Sequence, residues 1–149
     1  MMMNRREFVI TATGAAALSV FPASALMGDA AMVDKAIKDF AGGASISEGG
    51  IDLELPEIAE NGNTVPLGVS VDSPMTTDSY VKEIMILANG NPTPGVARFY
   101  FSPMSGAATA STRIRLAGTQ DIIALAKMND GSVNQISTTV KVTIGGCGG

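Results

Sequence analysis

A chain of 149 residues with one cysteine, no histidine and no tryptophan carries a formal charge of −4. Without histidine it cannot build a Ser-His-Asp or Cys-His relay, or a His-ligated zinc or haem site. With one cysteine it forms neither an internal disulfide nor a CxxC redox pair, and its acidic balance offers no basic stripe to a nucleic-acid backbone.

Near its start the chain carries Arg5-Arg6-Glu7-Phe8, then an apolar, alanine-rich run through Val20 and the small-residue triplet Ala23-Ser24-Ala25. This is the three-part layout of a secretory signal and predicts cleavage after Ala25, so that residues 1–25 are an address and the mature chain starts at Leu26. The pair Arg5 and Arg6 gives the twin-arginine form of the signal, a route that carries proteins already folded. The run is too short and too rich in alanine to remain as a spanning helix, which takes about 20 strongly apolar residues. The expected location is the periplasm, with no membrane segment in the mature part.

From Asp29 to Phe40 the apolar residues Ala30, Val33, Ile37 and Phe40 recur at steps of three and four. That spacing predicts a helix of about three turns with one apolar face, capped by Asp29 and stopped by Gly42-Gly43. Gly42 to Gly50 is rich in Gly and Ser and reads as a connector.

Beyond Gly50 the period changes to two. Ile51, Leu53 and Leu55 alternate with Asp52 and Glu54, and Val65, Leu67, Val69 and Val71 keep the same spacing, so each segment reads as a half-buried strand. Asn61-Gly62-Asn63 between them reads most simply as a tight turn, and a loop touching a partner or the C-terminal arm is the functional reading beside it. Further strands are predicted at Tyr80 to Leu87, Val96 to Phe101, Ser111 to Leu116, Asp121 to Met128 and Ser132 to Ile144. Asn129-Asp130-Gly131 joins the last two as a hairpin.

Seven short strands separated by turn signals point to an all-β fold: an immunoglobulin-like antiparallel β-sandwich with a short N-terminal helix and a flexible C-terminal glycine arm. The domain spans 26–144 and the arm 145–149. The missing Cys-Trp-Cys core marker excludes antibody domains proper.

The chemistry is concentrated in Gly145-Gly146-Cys147-Gly148-Gly149, which follows the last strand. Glycine has no side chain to pack and tolerates almost any backbone angle, so Gly145, Gly146, Gly148 and Gly149 are expected to form an unfolded arm that projects Cys147 into solvent. Extended from Ile144, such an arm reaches about 10 Å at about 3.5 Å per residue, far enough to enter a neighbour's cleft. A free cysteine titrates near pH 8.5, and no basic residue adjoins Cys147 in sequence, so it reads as a handle activated by the site it enters. A merely disordered tail, or a cysteine that pairs between two chains of a structural or adhesive sandwich, stands beside this reading. No cofactor and no metal site is expected.

The twin-arginine signal at Arg5-Arg6, the stretch Leu55-Pro56-Glu57-Ile58-Ala59-Glu60-Asn61-Gly62-Asn63-Thr64-Val65-Pro66 and the ending Val142-Thr143-Ile144-Gly145-Gly146-Cys147-Gly148-Gly149 together resemble the SoxY sulfur carriers of the periplasmic thiosulfate-oxidising (Sox) system. The resemblance implies a non-enzymatic carrier, with Cys147 as the covalent attachment site for a thiosulfate-derived S-thiosulfonate or persulfide and the four glycines supplying reach and slenderness. It further implies a haem-containing coupling enzyme, a sulfate-releasing hydrolase and a sulfane dehydrogenase as partners. A second β-sandwich subunit of SoxZ type, without a signal of its own, would complete a heterodimer.

Overall fold

The computed structural model describes residues 30–146. In chain order these form helix α1 (Ala30–Ala41) and strands β1 (Ile46–Glu48), β2 (Ile51–Glu54), β3 (Ile58–Asn61), β4 (Val65–Val71), β5 (Val81–Ala88) and β6 (Gly95–Tyr100). A 3₁₀ turn at Pro103–Ser105 follows, then β7 (Ala108–Ile114), β8 (Gln120–Met128) and β9 (Val133–Ile144). The larger sheet has the order β1-β9-β8-β5-β6, with β3 also paired to β9, and the smaller has the order β2-β4-β7. Two packed sheets with a short helix before them are the expected β-sandwich.

The alternation read in β4 becomes burial directly: Val65, Leu67, Val69 and Val71 face the core between the sheets. Pro66 lies beyond the last β2–β4 pair, Glu54 with Gly68. In β5 and β8 the apolar run is continuous because both faces of the sheet are covered. Ile84, Ile86, Ala88, Ile122, Ala124 and Ala126 pack toward the smaller sheet. Met85, Leu87, Ile123 and Leu125 pack with Val33, Phe40 and Ala41 of α1. The Lys127 ammonium lies 4.7 Å from the centre of the Phe40 ring. Burying an aromatic or branched aliphatic side chain contributes about 1.5–3 kcal/mol, and the helix is held by this face.

Gly42 ends α1 as expected, with φ of 61° and its N–H donating to the Lys38 carbonyl at 3.0 Å. The proposed cap Asp29 lies outside the described residues. At the β8–β9 hairpin Gly131 takes φ of 89°, and Asp130 Oδ1 accepts from the Ser132 hydroxyl at 2.7 Å and the Ser132 amide at 2.8 Å. These donors, the hydroxyl first, hold the Asp130 carboxyl below its ordinary value.

Two features differ from the expectation. The segment read as a connector contains β1, and β3 forms where no strand was expected. Both run parallel to β9: Ile46 pairs with Val133, and Ile58 with Lys141. The larger sheet is therefore mixed rather than wholly antiparallel. The physical reason is the length of β9, whose 12 residues leave an edge long enough for two short strands laid end to end, which satisfies backbone groups that would otherwise be open to another chain.

Candidate functional site

Strand β9 pairs with β8 as far as Val140 opposite Gln120 and with β3 as far as Ile144 opposite Asn61. Beyond Val140 the loop after β7 takes the place of β8, and the Val142 N–H donates to Thr119 Oγ1 at 2.9 Å. Gly145 and Gly146 thus leave the sheet between two backbones, Gly62 on one side and Leu116–Ala117 on the other.

Three hydrogen bonds close this junction. The Gly62 N–H donates to the Ile144 carbonyl at 2.7 Å, the Leu116 N–H to the Gly62 carbonyl at 2.8 Å, and the Gly146 N–H to the Leu116 carbonyl at 2.8 Å. Glycine is required here by proximity. A methyl on Gly145 would press into the Ala117 carbonyl oxygen, and one on Gly146 would meet the Gly62 carbonyl oxygen at 2.9 Å and the Asn63 nitrogen at 3.1 Å. On Gly62 it would meet the Leu116 carbonyl oxygen and, at 2.7 Å, the Gly146 nitrogen.

This departs from an arm that is unfolded from Gly145 onward. Gly146 is buried and Gly145 and Gly146 belong to the folded domain. The absence of a side chain removes packing, but it also removes what would keep neighbouring backbones apart, and here the second effect prevails. Cys147, Gly148 and Gly149 lie outside the described residues, as do Arg5 and Arg6. Asn61-Gly62-Asn63 meets both of its readings. Asn61 Oδ1 accepts from the Asn63 N–H at 2.9 Å as in a turn, and Gly62 touches the root of the C-terminal segment.

Behind the Leu116 loop sit two buried amides that the sequence reading passed over. Asn91 is fully buried and Gln120 is 6% exposed. Asn91 Nδ2 donates to the Arg115 carbonyl at 2.9 Å, and Asn91 Oδ1 accepts from the Ala117 N–H and from Gln120 Nε2, each at 2.9 Å. Gln120 Nε2 also donates to the Gly118 carbonyl at 3.1 Å, and Gln120 Oε1 accepts from the Gly90 N–H at 2.7 Å. Asn91 reads in sequence as one polar member of a Gly- and Pro-rich turn; Gln120 carries no marker beyond opening an apolar strand.

The hydrogen-bonding groups of the junction are peptide, amide and hydroxyl, so its geometry does not hinge on a protonation state. Beside it Ile144 is 67% exposed and Ile58 57%. Among the described residues no group of three or more His, Cys, Asp or Glu side chains is placed to hold a metal ion, and no helix is long and apolar enough to cross a membrane.

The sequence matches the family described as sulfur oxidation protein SoxY over residues 37–147. No curated protein matches it. Among solved structures, the sulfur carrier protein SoxY from Chlorobium limicola f thiosulfatophilum is 33% identical with a TM-score of 0.65, covering 77% of this chain and 99% of that one. A superoxide reductase (neelaredoxin) from Ignicoccus hospitalis is 18% identical with a TM-score of 0.57, covering 63% of this chain and 80% of that one. A putative superoxide reductase from Thermotoga maritima is 24% identical with a TM-score of 0.53, over 70% and 90%. The last two likenesses show the fold alone. The match across the domain, with the Chlorobium carrier's near-complete coverage, settles the family: this chain belongs to the SoxY sulfur-oxidation family.

Proposed function

We propose that this chain is a covalent sulfur carrier in thiosulfate oxidation and that Cys147 is the attachment site. In the first step the Cys147 thiol and thiosulfate lose one proton and two electrons to a haem-containing coupling enzyme, and a sulfur–sulfur bond forms to give the cysteine S-thiosulfonate. Water then cleaves the bond between the sulfane and the sulfonate sulfur, releasing sulfate and a proton and leaving a persulfide on Cys147. A sulfane dehydrogenase takes that sulfur further. On this reading the chain supplies no catalyst of its own. It is exported by the twin-arginine signal at Arg5-Arg6, works in the periplasm, and pairs with a SoxZ-like sandwich subunit that travels with it.

The observation that carries the reading is the junction. The only thiol of the chain follows directly in sequence on Gly146, whose backbone is buried and bonded, so the attachment residue is one peptide bond from a held backbone. Membership of the SoxY family supports the same role.

Intact mass of the periplasmic protein tests it. The expected result is a set of small sulfur adducts, including one S2O3 unit, that dithiothreitol removes, in a preparation that brings a second small chain with it. Cys147→Ser should lose every adduct and all thiosulfate-dependent turnover while folding normally, because the change falls after the last strand in sequence and exchanges a single atom. A doubled polypeptide mass as the sole thiol-sensitive species, or full turnover by Cys147→Ser, refutes the carrier and leaves the crosslinking reading.

A further inference from the structure

We propose that the buried pair Asn91–Gln120 is a positioning device for the thiol, a role that rests on the carrier reading of Cys147. It fixes the Leu116 peptides from which Gly146 hangs and so sets the point at which Cys147 is presented.

Peptide planarity couples Asn91 to the root of the C-terminal segment. The Arg115 carbonyl and the Leu116 N–H belong to one rigid peptide unit, and the Leu116 carbonyl and the Ala117 N–H to the next. Asn91 holds the far end of both: its Nδ2 takes the Arg115 carbonyl, and its Oδ1 takes the Ala117 N–H. The near ends of the same two units hold the junction, the Leu116 N–H on the Gly62 carbonyl and the Leu116 carbonyl on the Gly146 N–H. One carboxamide therefore orients both groups that grip the root. Gln120 in turn fixes the rotation of that carboxamide by donating to Asn91 Oδ1, and it ties the loop at Gly118 and the turn at Gly90 to the same frame.

A buried amide is costly unless its groups are paired, and no buried side-chain nitrogen or oxygen among the described residues lacks a partner. Three of the pair's five bonds end on backbone between Arg115 and Gly118. A pair placed only to close the Asn89–Gly95 turn would have no need of that loop.

The consequence for presentation is one of reach. Consecutive Cα atoms are about 3.8 Å apart, so with Gly146 anchored the Cys147 Cα lies within about that distance of a fixed backbone.

Amide hydrogen exchange by NMR, on the mature chain with Cys147 capped by iodoacetamide, tests the device without any sulfur chemistry. In the wild-type chain the Gly146 and Leu116 amides should share one protection level. In Asn91→Ala both should exchange at least about tenfold faster, whereas Val33→Ala, which loosens α1 on the opposite face of the sheet, should leave the Gly146-to-Ile84 exchange ratio unchanged. If Asn91→Ala does not fold, Gln120→Ala, which spares the Asn91 bonds to the loop, is expected to move the two amides in the same direction. In turnover with the partner enzymes these variants should raise the apparent KM for the carrier and leave kcat near its wild-type value, and Val33→Ala should do neither. A wild-type Gly146 amide that exchanges as in an unfolded chain, or Asn91 and Gln120 variants indistinguishable from Val33→Ala, overturns the proposal. The carrier reading fails separately, through Cys147→Ser.

Discussion

Gly62→Ala is the sharpest probe of the junction, because Gly62 lies outside the five C-terminal residues yet its backbone touches their root. The added methyl would collide with the Leu116 carbonyl oxygen and stand 2.7 Å from the Gly146 nitrogen and 3.1 Å from Val142 Cγ1. Two of those neighbours are backbone and cannot rotate aside, so one of the three junction bonds has to open. An intramolecular hydrogen bond contributes about 0.5–1.5 kcal/mol net, and overpacking a closed site costs about 1–3 kcal/mol. The sum is about 3 kcal/mol, which for a domain of this size lowers the melting temperature by about 10 °C. Thermal unfolding of the mature chain followed by circular dichroism measures it. Gly95→Ala is the control, since nothing lies within 4 Å of its added methyl, and its melting temperature should stay level or rise slightly as the unfolded chain loses freedom. A Gly62→Ala chain that melts with Gly95→Ala would show that the root is not clamped and refute the close-approach account of the glycines.

Phe40→Ala should destabilise by about 3–5 kcal/mol, because the ring is 3% exposed and closes the helix face of the larger sheet; denaturant unfolding checks it, and a cost below about 1 kcal/mol would mean that the helix is not part of the cooperative unit. Replacing both Arg5 and Arg6 by Lys should hold the precursor in the cytoplasm, as fractionation would reveal, and normal export of that variant contradicts the twin-arginine assignment.

Much of the sandwich was legible because its signals are local. Val65, Leu67, Val69 and Val71 announce one buried face, Asn129-Asp130-Gly131 announces a hairpin, and Val33 with Phe40 announces an apolar helix face. What escaped the reading depends on contacts distant in sequence. Ile46-Ser47-Glu48 and Ile58 to Asn61 are too short to display a period, and each becomes a strand only because β9 offers it an edge. Gly145 and Gly146 pose a deeper ambiguity, since the same missing side chains suit an unfolded arm and a tight backbone crossing. Only the placement of Ala117 and Gly62 decides between them. Asn91 suits a turn by composition, and its burial follows from the loop that the end of β7 brings over it.

The fold alone would not have pointed to sulfur, since superoxide reductases 18% identical to this chain share it, and a scaffold of this kind hosts unrelated chemistries through the sites built on it. One end of this sandwich carries a junction, next in sequence to the one cysteine, made of peptide groups, two amides and a threonine hydroxyl. None of those groups takes up or releases a proton near neutral pH. On the carrier reading, the work of ionising the thiol and of stabilising charge on the adduct therefore falls to each enzyme that docks. A rigid junction suits that division of labour, because a carrier visited in turn by several enzymes has to offer each of them the same starting point.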